Sequence, residues 1–504
     1  MTTPFLELRN VEKSFAGVRA LDGVSLTIGT GEIHCLAGEN GSGKSTLIKI
    51  VSGVNLPDGG EILFDGAAVT GLSPRDAIAH GVQVIYQDFS LFGNLSVAEN
   101  LGIGSELREK RRIVSHARIR RNAEAAMNLL GVHLPLDETV DTLPTAGRQL
   151  VAIARALTAQ PRLLIMDEPT TALTGREIET LFGVVHDIRT RGISVLFVSH
   201  KMREMLDIAE RITIIRSGRV VSAGPIGDYD ERAITHAMTG LDIPIEPYQW
   251  AQPAGAAPTP VLAVDGLTVP GELEDVSFDI LPGEIVGVSG LLGSGRTELA
   301  LALFGMRPGY SGSIRIDGKP AALRGVPEAI DHGIAYVPED RLTEGLFMPQ
   351  SIDRNIIASS LGRLSRFGML RRRAAADEAA RTIREMAIAT PTGNRPVMQL
   401  SGGNQQRVVI GRWLLRQPRL LILNGPTVGV DVGSKASIHR AIRDLARNRG
   451  LGVLMISDDL PELTGNCNRV LLMHRGRLEV FASGEGAPPE AQERALSDRL
   501  RELV

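Results

Sequence analysis

Four short segments of this chain occur twice, in the same order and at nearly the same spacing. Gly38-Glu-Asn-Gly-Ser-Gly-Lys-Ser-Thr46 returns as Gly290-Leu-Leu-Gly-Ser-Gly-Arg-Thr297, 252 residues later. Gly81-Val-Gln-Val-Ile-Tyr-Gln-Asp88, which reads as a strand ending at a polar Gln87, returns as Gly333-Ile-Ala-Tyr-Val-Pro-Glu-Asp340, again after 252. Arg162-Leu-Leu-Ile-Met-Asp-Glu-Pro169 returns as Arg419-Leu-Leu-Ile-Leu-Asn-Gly-Pro426 after 257, and Val198-Ser-His200 as Ile456-Ser-Asp458 after 258. Landmarks that keep their order while the offset drifts this little indicate tandem duplication of a whole domain. The spacing predicts one domain over residues 1–240 and a second over 261–504. Between them, residues 241–260 are rich in Pro and Ala and show no period, which predicts a short semi-extended linker.

The first of these segments fits the phosphate-loop pattern G-x-x-x-x-G-K-[ST] without a mismatch. Gly38, Gly41 and Gly43 let the backbone curl so that successive N–H groups, including those near Asn40 and Ser42, face inward as an anion nest. Lys44 adds a charge that reaches terminal phosphates, and Ser45 offers a hydroxyl to Mg²⁺. Thr46 to Val51 is predicted to continue as a helix with its positive end toward the same phosphates. Glu32 to Ala37 reads as the buried strand that must precede such a loop. A chance Gly-rich turn would not supply strand, loop and helix in that order. The expected ligand is a nucleoside triphosphate.

Hydrolysis of that ligand needs more than a cradle: metal ligands, a base to orient water and a sensor of the terminal phosphate. Asp167 and Glu168 stand at the C-terminal end of an apolar strand, where open α/β sheets bind ligands. Asp167 is expected to hold Mg²⁺, Glu168 to polarise the attacking water, Gln87 to touch metal and water, and His200 to reach the γ-phosphate. Phe15, in a turn-like Ser-Phe-Ala-Gly, is a candidate to stack on adenine, with simple core as the alternative. Leu400-Ser-Gly-Gly-Asn-Gln-Gln406 places Ser401, Gly402 and Gly403 at a predicted helix start, a second anion site that includes Gln405.

Composition excludes several other classes. A net charge of −3 argues against wholesale nucleic-acid binding. The basic run at 106–130, predicted helical, reads as a solvated face in preference to an anionic docking surface. Cys35 and Cys467 are far apart among apolar neighbours, so buried free thiols are expected. The N-terminus shows no signal-peptide pattern, and no apolar run approaches the length of a membrane span.

Phosphate loop, Gln87, Asp167-Glu168, His200 and Leu-Ser-Gly-Gly-Asn-Gln together resemble an ABC-transporter nucleotide-binding domain. The doubling, with Gly-Arg-Thr-Glu-Leu at 295–299, Pro-Glu-Asp-Arg at 338–341 and Gly-Val-Asp-Val-Gly at 429–433, narrows this to the tandem ATP-binding subunit of bacterial sugar importers of the ribose/galactose type. The resemblance covers essentially the whole chain. It implies an α/β fold of two tandem P-loop NTPase domains, each with an antiparallel β portion and a helical subdomain near 100–160 and 350–415. It also implies ATP and Mg²⁺, two integral-membrane permease subunits, a periplasmic substrate-binding protein, a small sugar carried by those partners, and a place on the cytoplasmic face of the bacterial inner membrane. Soluble tandem ABC proteins that act on ribosomes are the rival, but they would bring a long charged helical linker and two intact sites.

By the same resemblance the halves close head-to-tail, so each phosphate loop faces the other half's signature segment across ATP. The departures then gather on one side. In the second half Gly290, Gly293, Gly295 and Thr297 remain, while Arg296 replaces the lysine, Glu339 the glutamine, Asn424 and Gly425 the carboxylates, and Asp458 the histidine. The first half's signature reads Leu143-Pro-Thr-Ala-Gly-Arg-Gln149, and Thr174 stands where Asp431 stands in its copy. One composite site is expected to keep every part, and the other to be degenerate.

Overall fold

The structure, a computed structural model, describes residues 4–15, 17–108, 115–131, 133–170, 173, 175–240, 248, 250, 258–291, 293–481 and 488–503. It divides into two compact units, Met1–Ile243 and Pro244–Val504. The described linker residues Tyr248 and Trp250 belong to the second. Tyr248 Oη donates to the Gly283 carbonyl at 3.0 Å and Trp250 Nε1 to the Pro282 carbonyl at 3.2 Å, each aromatic ring burying its body while its polar tip finds a partner.

Each unit repeats one plan. In the first, strands Leu6–Phe15, Val18–Ile28, Gly59–Phe64 and Ala67–Val69 make a four-stranded antiparallel sheet. A six-stranded sheet runs in the order Arg219–Pro225, Arg211–Arg216, Ile33–Ala37, Ser194–Ser199, Leu163–Asp167, Val82–Ile85. Its last five strands are mutually parallel. Parallel strands covered on both faces must be apolar throughout, and all five residues of Ile33–Ala37 are buried. Between the two sheets lies a core built from Phe5, Leu21, Leu36, Leu47, Ile48, Ile165 and Leu196.

Helices Val97–Arg108, His116–Leu130 and Thr145–Leu157 form an arm with a core of its own, including Leu101, Ile119, Met127, Val140 and Val151. Ser96 and Glu99 close a reciprocal capping box, Glu99 N donating to Ser96 Oγ and Ser96 N to Glu99 Oε2, which starts the first arm helix. The described parts of the basic run at 106–130 are helical: 106–108 end the first arm helix and 116–130 form the second. Residues 109–114, with Lys110, Arg111 and Arg112 of the basic run, lie outside the described residues.

The second unit copies the sheet order strand for strand: Ile334–Val337, Leu420–Asn424, Gly452–Ile456, Ile285–Gly290, Arg469–His474, Arg477–Phe481. Its arm runs from Ile352–Ile357 to Gly402–Leu414 and adds a small hairpin, Ser365–Arg366 with Met369–Leu370.

Three local expectations need correction. The strand read over 81–88 ends at Ile85, leaving Gln87 exposed in the following turn. Phe15 closes a ten-residue strand and is 44% exposed, so it is not core. Cys35 is buried and its thiol is pushed up by burial, whereas Cys467 is only half-buried; both are free.

Candidate active site

In the first unit the sheet topology gathers the predicted residues at one edge. The phosphate loop follows Ile33–Ala37, His200 follows the adjacent strand Ser194–Ser199, Asp167 ends the next strand with Glu168 directly after it, and Gln87 follows the strand beyond. Adjacent parallel strands thus deliver the phosphate loop, Glu168, His200 and Gln87 to the same rim.

Only glycine can build this cradle. Gly43 holds φ 114° immediately before helix Lys44–Val51, and a Cβ there would fall 2.6 Å from the Ala20 carbonyl oxygen. At Gly38 a Cβ would meet the Ile215 carbonyl oxygen at 2.4 Å. Lys44 is buried, and its Nζ donates to the carbonyls of Gly38 at 2.6 Å and Glu39 at 2.9 Å. Burial lowers its pKa while Glu168, Asp167 and Glu39 oppose that shift. Ser42 Oγ is buried and makes no hydrogen bond, an orphan acceptor and donor inside the cradle. Asn40, Gly41 and Ser45 are exposed at the mouth, and Thr46 is half-buried in the helix.

Glu168 is the most constrained residue of the site. His200 Nδ1 lies 3.0 Å from its Oε1, and Gln87 Nε2 lies 3.5 Å from its Oε2. Its backbone N–H donates to the Val198 carbonyl, and its φ of 48° lies in the left-handed region that non-glycine residues avoid. Strain of this kind persists where the surroundings over-determine it. Burial and the like charge of Glu168 raise the Asp167 carboxyl above its ordinary value, with Lys44 and Lys49 opposing. Two crowded carboxylates facing the buried Lys44 suit a divalent cation with phosphate. Among the described residues no cluster of three or more His, Cys, Asp or Glu forms a metal centre. Ser45, Gln87 and Asp167, the residues expected to hold Mg²⁺, would do so jointly with phosphate oxygens and water, its usual mode. The cation would supply charge neutralisation on the phosphates.

The second unit repeats the scaffold and changes the chemistry. Gly295 holds φ 107° before helix Arg296–Leu303, and Arg296 NH1 keeps the carbonyl bond of the missing lysine, donating to Gly290 at 3.1 Å. The same NH1 is ion-paired with Asp458, the residue at the histidine position. Gly293 and Thr297 keep their places in the loop, and Ser294 Oγ repeats the orphaned hydroxyl. Asn424 is buried in hydrogen-bond contact with the Tyr336 hydroxyl. Gly425 occupies the place of Glu168 with φ 58°, so the copy keeps the left-handed turn while relieving its strain.

Ser401 precedes helix Gly402–Leu414 but does not cap it with its side chain. Its Oγ instead accepts from Asn404 Nδ2 at 2.9 Å, which leaves the first-turn N–H groups available to an anion. Gly403 is packed so closely that a Cβ would meet Ser434 Oγ at 2.3 Å. Gln405 is buried, with Nε2 3.4 Å from the Val397 carbonyl. Thr174, read as the counterpart of Asp431, lies outside the described residues.

Five positioning residues escaped the sequence reading. Arg341 donates to the carbonyls of Val428 at 2.6 Å and Gly429 at 3.1 Å, with Nε 3.4 Å from Gln405 Oε1, linking its own segment to the Val428–Gly429 loop and to helix Gly402–Leu414. Arg155, on the arm helix, donates to the carbonyls of Ser90 at 2.8 Å and Phe89 at 3.1 Å, two consecutive residues with positive φ. Its copy Arg412 is buried, pushed down to about 10, and donates to the carbonyls of Asn355 and Gly345. Asn100 and Asn355 each exchange two bonds with the backbone of an exposed phenylalanine, Phe92 and Phe347. The detectable signal was recurrence: Phe92, Asn100 and Arg155 reappear as Phe347, Asn355 and Arg412 at offsets of 255, 255 and 257, inside the range spanned by the larger motifs.

The ABC transporter family model matches residues 21–171 and 273–428. The chain is 43% identical over 499 residues to the ribose import ATP-binding protein RbsA 1 of Streptomyces coelicolor, covering 99% of this chain and 98% of that one. It is 42% identical to a putative ribose/galactose/methyl galactoside import ATP-binding protein of Burkholderia cenocepacia, covering 94% and 90%. Among solved structures, a nucleotide-free ATP-binding cassette from an ABC transporter is 25% identical, covering 46% of this chain and 97% of that one, with a TM-score of 0.42. With both matched regions carrying the phosphate loop and the strand of Asp167 or Asn424, the chain belongs to the ABC transporter family as two ATP-binding cassettes in tandem.

Proposed function

We propose that this chain is the ATP-hydrolysing subunit that energises import of a small sugar or polyol through a partner permease, and that one of its two nucleotide sites carries the hydrolysis. The cargo class is supported by relatives at 40–43% identity that are themselves ribose or ribose/galactose import ATP-binding proteins. The division of labour rests on one observation. Glu168 sits beside His200 and Gln87 in the first unit, whereas the second presents Gly425, Asn424 and an Arg296–Asp458 ion pair.

In this reading Glu168 orients and deprotonates the attacking water, held in place by His200 and Gln87. Lys44 leaves its loop carbonyls for the terminal phosphates, and Phe15 offers an exposed ring to adenine. The signature segment Ser401-Gly402-Gly403 with Gln405 completes this competent site, while Gly290, Gly293, Gly295, Arg296 and Thr297 belong to the degenerate one. Two permease subunits and a periplasmic binding protein are the partners, and the chain works at the cytoplasmic face of the inner membrane. No described helix is long and apolar enough to cross a membrane itself. Phe92 at 54% exposure, in the segment after Gln87, and Phe347 at 60%, in the matching segment after Glu339, are each pinned by a buried asparagine and support a permease contact on each unit.

The test is uptake of labelled sugars and polyols by vesicles carrying the permease and binding protein encoded beside this chain's gene. ATP-dependent accumulation of one such solute, lost in Lys44→Ala, is expected. Hydrolysis without uptake of any sugar or polyol would contradict the proposal.

A further inference from the structure

The second unit's arm carries a feature that neither nucleotide site uses. Between Leu361 and Arg373 the chain holds five arginines, at 363, 366, 371, 372 and 373, and no acidic residue. The strands Ser365–Arg366 and Met369–Leu370 pair through Ser365↔Leu370 and Arg366↔Met369, leaving Phe367-Gly368 as a two-residue turn. Both turn residues have positive φ, 52° and 76°, the pattern of a type I′ turn. Asn or Asp is the residue that suits its first position, and a phenylalanine there is strained. Phe367 is also 88% exposed and Met369 72%, with Leu361 and Leu370 exposed beside them.

The hairpin is rooted rather than loose. Leu364 is buried, the Arg371 N–H donates to the Leu364 carbonyl at 2.9 Å, and Arg363 donates to the Leu415 carbonyl at 2.7 Å. Arg366 lies over the Phe367 ring, 5.2 Å from its centroid. Arg371 is the cap residue of helix Arg372–Glu385, and Arg372 and Arg373 fill its first turn, which holds no acid. That is the helix end at which positive charge is disfavoured. Among the described residues Arg366, Arg371, Arg372 and Arg373 have no acidic partner within ion-pair distance. An aromatic in a strained turn, apolar side chains in water and cations at the wrong helix end all work against the stability of the isolated fold.

We propose that this hairpin docks on the anionic phospholipid surface of a bilayer, Phe367 and Met369 entering the headgroup boundary while the arginines face lipid phosphates. An apolar tip ringed by unpaired cations fits that surface in charge and polarity. A nucleic-acid backbone would match the cations but leave the apolar tip in water. The contact would hold the second unit against the membrane in which the proposed permease lies, yet it needs neither nucleotide nor permease.

The test is co-sedimentation of the full chain, without nucleotide, with vesicles of phosphatidylcholine alone or containing phosphatidylglycerol. Binding is expected only to the anionic vesicles, and it should weaken as salt rises. Replacing Arg371, Arg372 and Arg373 by alanine is expected to lower partitioning about a hundredfold, from roughly fivefold per basic residue. Phe367→Asn creates the favoured Asn-Gly turn, so folding is preserved or improved while vesicle binding falls. Absence of binding to anionic vesicles, or binding unaffected by either variant, would overturn the proposal. So would loss of permease association in these variants with vesicle binding unchanged, which would assign the hairpin to a protein partner. ATP hydrolysis by the detached chain, assayed in parallel, is expected to be the same in all variants, so either failure leaves the reading of the nucleotide sites standing.

Discussion

His200 Nδ1 stands 3.0 Å from Oε1 of Glu168, so the residue after one parallel strand orients the carboxylate directly after its neighbour. Glu168→Gln keeps the shape of that contact and removes the base. It is expected to retain ATP binding while turnover falls at least about a hundredfold, the lower range for loss of a general base. Binding and steady-state hydrolysis measured on the same preparation check this, and retention of more than about a tenth of the rate would remove Glu168 from that role.

The counterpart residue makes a separate prediction about stability. Gly425 holds φ 58°, and a Cβ there would meet Val428 Cγ2 at 2.9 Å and Glu339 Cγ at 3.0 Å. Gly425→Ala is expected to destabilise the second unit by about 1–2 kcal/mol from the left-handed backbone alone. Denaturant unfolding reads this directly, and an unchanged midpoint would mean the turn relaxes.

Asp167 links function to pH. Its carboxyl is raised by burial and by Glu168, so ionising it costs more in the folded chain than in the unfolded one. Below the ordinary aspartate value, about 3.9, both states are protonated and the cost is absent. It sets in as pH rises through the raised folded value and is fully present above it. Asp167→Asn is therefore expected to raise the melting temperature at neutral pH, with the gain vanishing toward pH 4, while hydrolysis is lost. A gain that persisted unchanged in acid would have another cause.

Arg155 is where the arm reaches the Gln87 loop. Its two bonds hold Phe89 and Ser90 in consecutive left-handed conformations. Charged hydrogen bonds of this kind contribute about 1.5–3 kcal/mol, so Arg155→Ala is expected to lower sugar uptake about tenfold or more. Hydrolysis by the detached chain should change by less than about threefold, roughly 0.65 kcal/mol of barrier. Proportional loss of both would make Arg155 a structural residue only.

The duplicated scaffold was legible because glycine positions and apolar strands leave strong local marks. Ile33–Ala37 lies within the segment that read as a buried strand, and Gly43 and Gly295 marked both loops. The strand end at Ile85 and the exposure of Phe15 were missed because both depend on neighbouring strands and not on the local sequence. Arg155 and Arg341 were missed for a related reason: each bonds backbone carbonyls far along the chain, and Asn100 bonds a loop eight residues back in no familiar motif. The strain at Glu168 is likewise visible only as a backbone angle, although Gly425 in its copy hinted at it.

The proposed inequality of the two sites is tested most directly at the two signature segments. Ser401 and Pro144 hold the same position in the two copies, and both are exposed, so an arginine at either is compatible with folding. Gly403 is a poorer choice, because any Cβ there meets Ser434. On purified transporter, with nucleotide binding measured alongside, Ser401→Arg is expected to abolish ATP hydrolysis. Pro144→Arg is expected to cost at most about tenfold, roughly 1.4 kcal/mol of barrier. Equal losses from the two substitutions would contradict a single catalytic site.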